Sequence, residues 1–258
     1  MNAVSFELTK FLSRKSTRLL LLITSILFPA MVILVSHLNI IKDHVPEGSF
    51  VDNVAFGTIA YSQSFFFLPV WIIVFIGQEL AGGHASRVVF TKSRNFYFAS
   101  KLGYCGMVTV VFSVLGMAAL IISIQASPFT YLSVGLSYYL SFLTQLVFST
   151  LLFCALLMSL VFILRSPIIT FVVYFAWTFI EGLLFSAISS IYEIELKWLP
   201  VHLIRMTYLR NGEVQLNNYY NPFAGNIISL IAPLGFAGVI VLISWRYFQK
   251  VSLQTLSD

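Results

Sequence analysis

Six long apolar runs, separated by short polar connections, dominate the pattern of this sequence. Each run is about as long as the roughly 20 residues that an α-helix needs to cross the hydrocarbon core of a bilayer. The pattern predicts an all-α polytopic membrane protein with one transmembrane domain over residues 1–258. The predicted spans are Leu19–Leu38, Ala55–Ile76, Leu102–Ile124, Tyr138–Ile163, Ile168–Ile188 and Ile227–Trp245.

Composition supports the same class. Charged residues make up 10% of the chain and hydrophobic residues 59%, whereas a soluble domain carries about 25% charged residues. The charge is too sparse to cover a water-exposed surface. We therefore expect a multi-pass protein of the cell membrane, of the kind found in a bacterial inner membrane.

The basic residues are distributed unequally between the two sides of the predicted spans. Such residues collect in cytoplasmic connections, so the chain should have both termini in the cytoplasm. The same bias explains the net charge of +5 without a nucleic-acid partner. Eleven of the fifteen basic residues lie on the side of the N-terminus: Lys10, Arg14, Lys15, Arg18, Arg87, Lys92, Arg94, Lys101, Arg165, Arg246 and Lys250.

The first 18 residues carry apolar side chains at helical spacing. Val4, Leu8, Phe11 and Leu12 recur at i, i+4, i+7 and i+8, which is the spacing of one helix face. This pattern predicts an amphipathic helix lying on the cytoplasmic leaflet before the first span. The alternative is a solvated basic leader without a fixed structure.

Two further segments outside the spans have a distinctive composition. Residues 77–101 mix basic residues with large apolar ones, and Gly82 and Gly83 should break a helix there, so that a short new helix begins near Ala85. Its apolar side chains are costly to expose, so the segment should lie against membrane or protein. Residues 189–226, which are rich in Tyr and Trp, should form an outer segment at the membrane surface.

Motifs for chemistry are missing from the sequence. It has no glycine-rich phosphate loop and no nucleophile elbow or zinc-binding histidine pair. Cys105 and Cys154 fall within apolar runs and the four histidines are scattered, so neither a disulfide nor a metal site is predicted. We do not expect this chain to be an enzyme or to bind a cofactor itself.

A few polar residues fall within the spans and are candidates for a translocation path or a helix interface. Glu181 lies about two thirds of the way along the fifth span, where a charge is expensive unless it faces a path or a partner helix. If that span ends early, Glu181 reaches the outer headgroups instead. Gln63 and Gln145 are also polar within spans, and hydrogen bonding between helices would explain both without a transport role. Gly182 and Ser186 could allow close helix packing.

The arrangement resembles the membrane subunit of type-2 ABC exporters, the ABC-2-type permeases. Four features carry the resemblance: the amphipathic start FELTKFLSRKSTRLLLL, the segment from Glu79 to Lys101, six spans with a long outer segment before the last, and the tail WRYFQK that ends at Lys250. Together they cover nearly the whole chain. The segment from Glu79 to Lys101 is the most specific of them.

The resemblance implies a permease that exports its substrate through a dimer, with the second chain either identical or different. A separate ATPase subunit would bind ATP and Mg, and would dock on the connection after the second span. The open alternatives are a stand-alone secondary transporter and a non-transporting component of a surface machine. The docking residues implied by the resemblance are Glu79, Arg87, Lys92, Ser93, Arg94, Phe96, Lys101 and Arg165.

Overall fold

A computed structural model of the protein describes residues 2–43, 59, 62–126, 136–192 and 228–250. The regular structure of this part of the chain is helical, as the apolar runs predict. Helix α3 occupies residues 62–81 and combines the π-helical stretches Gln63–Phe67 and Val70–Val74 with the α-helical end Phe75–Ala81. The other helices are α1 (Ala3–Ser13), α2 (Lys15–Asp43), α4 (His84–Thr91), α5 (Arg94–Gln125), α6 (Leu136–Leu164), α7 (Pro167–Tyr192) and α8 (Ile228–Lys250).

Four segments of these helices are long and apolar enough to cross a membrane: Lys15–Leu38, Arg94–Gln125, Phe142–Leu164 and Pro167–Leu184. They coincide with the first, third, fourth and fifth predicted spans. Helices α3 and α8 coincide with the second and sixth, but the count of six remains a prediction. The outer segment 189–226 lies almost wholly outside the described residues.

Helix α6 is central among the four. Within its apolar segment 67% of the residues are buried, against 22% for α2 and for α7. Phe153, Leu157 and Val161 on α6 are shielded completely or almost completely by other helices. Helices α2 and α7 instead turn many leucine and isoleucine side chains outward, which is the arrangement of helices that face lipid.

Helix α3 is fastened to its neighbours through Trp71. The indole Nε1 donates a hydrogen bond of 3.0 Å to Thr24 Oγ1 on α2, and the Trp71 carbonyl accepts one of 3.0 Å from the Tyr104 hydroxyl on α5. Pro69 lies between the two π-helical stretches and has no N–H to donate to the helix. Because Trp71 is completely buried, both of its polar groups need these partners.

Helix α5 begins at Arg94, two turns before the apolar run that predicts it. The Ser93 side chain caps it by accepting a hydrogen bond of 3.0 Å from the Phe96 N–H. The predicted span Leu102–Ile124 therefore lies within a longer helix. Hydropathy marks where lipid begins, whereas the first two turns of α5 are covered by other helices of the chain: Tyr97 and Lys101 are both buried.

Five parts of the chain meet at one end of the helices. They are α1, the turn between α3 and α4, the start of α5, the junction of α6 with α7, and the end of α8. Gly77 of α3 lies against Pro167 so closely that an added Cβ would sit 2.8 Å from the proline Cβ. Arg94 of α5 donates a hydrogen bond of 3.0 Å to the carbonyl of Phe248 on α8. We call this region the basic end, because most of the basic residues lie there.

Candidate functional site

Glu79, near the end of α3, is the centre of a buried group of charges at the basic end. It is 4% exposed. Its Oε1 forms ion pairs with Lys10 and with Arg14 Nη1, the latter at 3.0 Å, and its Oε2 lies 2.6 Å from Lys101 Nζ. Glu79 therefore connects α1 with α5. We call Glu7, Lys10, Arg14, Glu79 and Lys101 the charge cluster.

Glu7 is the second carboxylate of the charge cluster and is 2% exposed. Its Oε1 lies 2.5 Å from Lys101 Nζ and accepts a hydrogen bond of 3.1 Å from the Ser100 hydroxyl. The Lys101 ammonium thus lies between two carboxylates, and it also lies 5.0 Å from the centre of the Tyr97 ring. A buried charge needs close partners of opposite charge. The two carboxylates are such partners, so Lys101 can be buried at 1% exposure.

The spacing on α1 explains how its charges reach the interior. Glu7, Lys10 and Arg14 lie at i, i+3 and i+7, which is one face of a helix. Phe11, on the edge of the same face, stacks on Trp71 with ring centres 5.7 Å apart. The charged face of α1 is therefore turned toward the protein and held there by an aromatic contact.

Three cations and two carboxylates give the charge cluster a surplus of one positive charge. Burial alone raises the pKa of Glu79, which lies beyond the apolar run 55–76, but Lys101 and Lys10 outweigh this effect and lower it below its usual value. Burial and the nearby Lys101 lower the pKa of Lys10 to about 8, against the opposing effect of Glu79 and Glu7. Lys10 therefore loses its proton more readily than an exposed lysine does.

Helix α4 begins after a turn of two glycines that follows Glu79 of the charge cluster. Gly83 before it has a φ of 70°, a backbone conformation that glycine adopts without strain. Ala85 and Val89 anchor α4 to the protein, whereas Arg87 and Phe90 face outward. Phe90 is 72% exposed, the highest value for any aromatic side chain in the residues described. The expectation of a short helix starting near Ala85 is confirmed.

The structure buries two of the predicted docking residues. Glu79 and Lys101 do not lie on the surface, because they are ion-paired to each other inside the charge cluster. Ser93 caps α5, and Phe96 packs edge-on against Phe6 of α1 with ring centres 5.9 Å apart. Of the segment from Glu79 to Lys101, the exposed basic side chains that the prediction named are those of Arg87 and Lys92.

The other two predicted docking residues bind the last turn of α8. The guanidinium of Arg94 donates to the carbonyl oxygens of Phe248 and Gln249, which end that helix. Arg165 lies 5.1 Å from the centre of the Tyr247 ring and donates a hydrogen bond of 3.1 Å to its hydroxyl. Arg165 also has a φ of 56°, which is unusual for a residue with a Cβ.

Among the candidate path residues, the structure describes the side chains of Gln63 and Glu181 and the surroundings of Gly182. Gln63 is completely buried; its Nε2 donates to the Phe112 carbonyl at 3.0 Å and its Oε1 accepts from Thr150 at 3.1 Å. It thus joins three helices. Glu181 on α7 is 3% exposed, and the neighbouring Gly182 is open, since an added Cβ would meet nothing within 4 Å. Gln145 and Ser186 lie on α6 and α7, with side chains outside the described set.

Sequence reasoning missed the partners of Glu79 and the exposure of Phe90. One signal was available: Glu7 is the single acidic residue of positions 1–42, and Glu79 is the single acidic residue of positions 53–180. Two isolated carboxylates among so many basic residues indicate ion pairing. Their common partner, Lys101, could not be inferred because it is 94 residues from Glu7.

No family model and no curated protein matches the chain. The likeness to ABC-2-type permeases therefore rests on the sequence features described above. Any function must be argued from the membrane helices, the charge cluster and α4.

Proposed function

We propose that this chain is the membrane subunit of an ATP-driven exporter of the ABC-2 type, and that a separate ATPase subunit docks on α4 in the cytoplasm. In this proposal the ATPase binds ATP and Mg, and a second permease chain completes the export path. All eleven basic residues of the predicted inner side then lie on the cytoplasmic side of the membrane, in agreement with the positive-inside bias.

The observation that supports docking most directly is the outer surface of α4. Phe90 is 72% exposed and is flanked by the exposed cations Arg87 and Lys92. A large aromatic ring surrounded by charge is typical of the anchor residues of protein interfaces. The partner should therefore offer an apolar pocket for Phe90 and acidic side chains for Arg87 and Lys92.

The charge cluster supports a coupling role for the same region. Glu79 precedes α4 by one short turn and is ion-paired to Lys10 of α1, to Arg14 directly after α1, and to Lys101 of α5. A displacement of α4 by a partner would be resisted by these pairs and would shift α1 and α5 with it. In a two-state mechanism, such a connection lets binding at α4 favour one arrangement of the helices.

Purification of the tagged chain from its native membranes, followed by measurement of ATP hydrolysis, tests the proposal. The wild-type complex should hydrolyse ATP, and both Arg87→Glu and Phe90→Ala should release the ATPase subunit and abolish the activity. Arg246→Glu is the matched control, because it reverses an exposed charge on a different helix, α8. ATPase that remains bound to the Arg87→Glu and Phe90→Ala variants would refute docking at α4, and transport by the chain alone without ATP would refute the class.

A further inference from the structure

His37 joins the far end of α2 to the far end of α5. Its Nδ1 lies 2.8 Å from the carbonyl oxygen of Ile33, one turn earlier on α2, and its Nε2 lies 2.9 Å from the carbonyl oxygen of Ala126, which caps the C-terminus of α5. Both helices start at the basic end, and each contains a segment long enough to cross a membrane. The contact therefore lies at the opposite end, on the predicted outer side.

The imidazole ring of His37 faces a hydrogen-bond acceptor with each of its two nitrogens. A carbonyl oxygen accepts hydrogen bonds and donates none, whereas a neutral imidazole has one N–H donor and one lone pair. Either neutral tautomer therefore satisfies one carbonyl and turns a lone pair toward the other oxygen. The doubly protonated ring donates to both, so this geometry fits an imidazolium.

The carbonyl of Ala126 is a favourable partner for a cation. The last carbonyls of a helix have no partner within it, and together they give that end a partial negative charge. A protonated His37 satisfies one of these carbonyls and places its charge where the helix dipole stabilises it. The side chain is half-buried, so water on that side of the membrane can deliver and remove the proton.

Helices α2 and α5 are packed together beneath this contact. Phe28 of α2 meets Phe112 of α5 edge-on, with ring centres 5.8 Å apart. Nearer to His37, Ser36 of α2 and Ser123 of α5 are both completely buried. His37 thus lies at the rim of a joint that excludes water, and it supplies a hydrogen bond that links the two helices there.

Other titratable side chains of the helices packed at this joint are separated from His37 along the chain. The nearest of them are Arg18, Lys42 and Asp43 on α2, Glu79 on α3 and Cys105 on α5. Arg18 and Cys105 are each about 20 residues from the contact, which is roughly 30 Å at 1.5 Å per residue, and Glu79 lies at the basic end. Lys42 and Asp43 have side chains outside the described set. Among the described groups, the partners of the imidazole are the two carbonyls.

We propose that His37, with the carbonyls of Ile33 and Ala126, is a proton-binding site that fastens the outer ends of α2 and α5. At pH 5 the imidazolium donates to both carbonyls, and the helix ends stay together. At pH 8 the neutral ring keeps its bond to Ile33, which moves with the same helix, and releases Ala126 on the other helix. Imidazole exchanges its proton between these pH values, so acidity on the outer side controls the joint. This site is independent of any ATPase.

The protonation state of the ring can be read by NMR of the full chain in lipid nanodiscs, with isotopically labelled histidine. His37→Gln assigns the His37 signals among the four histidines of the chain. At pH 5 both ring nitrogens should carry a proton, and at pH 8 one of them should have lost it. A ring with a single N–H throughout this range would overturn the proposal.

Opening of the joint can be measured as the distance between two spin labels. Leu38→Cys and Gln125→Cys replace exposed residues beside the contact, and the native thiols of Cys105 and Cys154 are buried. At pH 5 a single short distance should dominate. At pH 8 the ratio of this short distance to longer ones should be lower by roughly tenfold, which is the equilibrium change expected for a hydrogen bond to a charged group.

Three variants of the doubly labelled protein separate His37 from other causes. His37→Gln should abolish the dependence on pH, and His37→Arg, whose guanidinium stays charged, should keep the helix ends together at pH 8. His84→Gln is the matched control, because it removes an exposed histidine on α4 at the basic end and should leave the dependence unchanged. A wild-type distance that does not change with pH, or a change that persists in His37→Gln, would refute the site.

Discussion

Replacing Glu79 by Gln tests whether the charge cluster holds the basic end together. The substitution preserves shape and removes one negative charge, so that Lys10, Arg14 and Lys101 are left with Glu7 as their carboxylate. Removal of one partner from a buried ion pair costs about 3–5 kcal/mol, because the remaining charge stays buried without compensation. Glu79 is 4% exposed and has three cationic partners, so we expect a loss in this range.

The two native cysteines provide the assay. Cys105 and Cys154 are 1% and 0% exposed, so a maleimide dye that fluoresces on reaction reports unfolding of the purified protein in detergent. For a protein of this size, 1 kcal/mol corresponds to roughly 2–4 °C in the unfolding midpoint. The Glu79→Gln variant should therefore unfold roughly 6–20 °C below the wild type by the same conversion.

A second substitution separates charge from packing. Glu79→Gln leaves the cluster with two surplus positive charges and Lys10→Met removes one of them, so the double variant should recover part of the lost stability, and a double-mutant cycle measures the coupling. The reasoning is refuted if Glu79→Gln lowers the midpoint by less than about 2 °C, or if Lys10→Met adds its own loss with no recovery. Either result would mean that the charges of the cluster do not stabilise the fold.

Two further predictions concern α3 and α1. Gly77→Ala should destabilise the protein by about 1–3 kcal/mol through overpacking, because the new Cβ would lie 2.8 Å from the Cβ of Pro167. Gly106→Ala is the control: nothing lies within 4 Å of its added Cβ, so it should gain up to about 1 kcal/mol of helix propensity. If both substitutions shift the thermal unfolding midpoint equally, the close contact at Gly77 is contradicted. The second concerns pH: the pKa of Lys10 is lowered to about 8 from 10.5, so between these values the unfolded chain holds more protons and stability should rise with pH. Below pH 8 Lys10 is protonated in both the folded and the unfolded chain, so its effect on the free energy of unfolding no longer changes with pH. Between pH 8 and pH 10 the free energy of unfolding of the wild type should rise relative to that of Lys10→Met by on the order of 3 kcal/mol, at 1.36 kcal/mol per pKa unit. A difference between the two proteins that does not change with pH would contradict this prediction.

The helices themselves could be predicted from the sequence because their apolar runs are long and match the thickness of a bilayer. The start of α5 could not be predicted. Tyr97 and Lys101 are covered by protein, and hydropathy does not distinguish such residues from residues exposed to water. The short helix α4 followed from the two glycines before it. The burial of Glu79 could not be predicted for a different reason: the face that α1 turns inward is decided by contacts with residues far along the chain.

The pairing of Glu7 with Lys101 also has a consequence for biosynthesis. The two residues are 94 positions apart, so at about 5–20 residues per second the ribosome needs roughly 5–20 s to supply the lysine after the glutamate. During that interval α1 carries a carboxylate that cannot enter the interior. Nascent chains arrested before position 101 should therefore leave α1 open to protease, and chains arrested well beyond it should protect it.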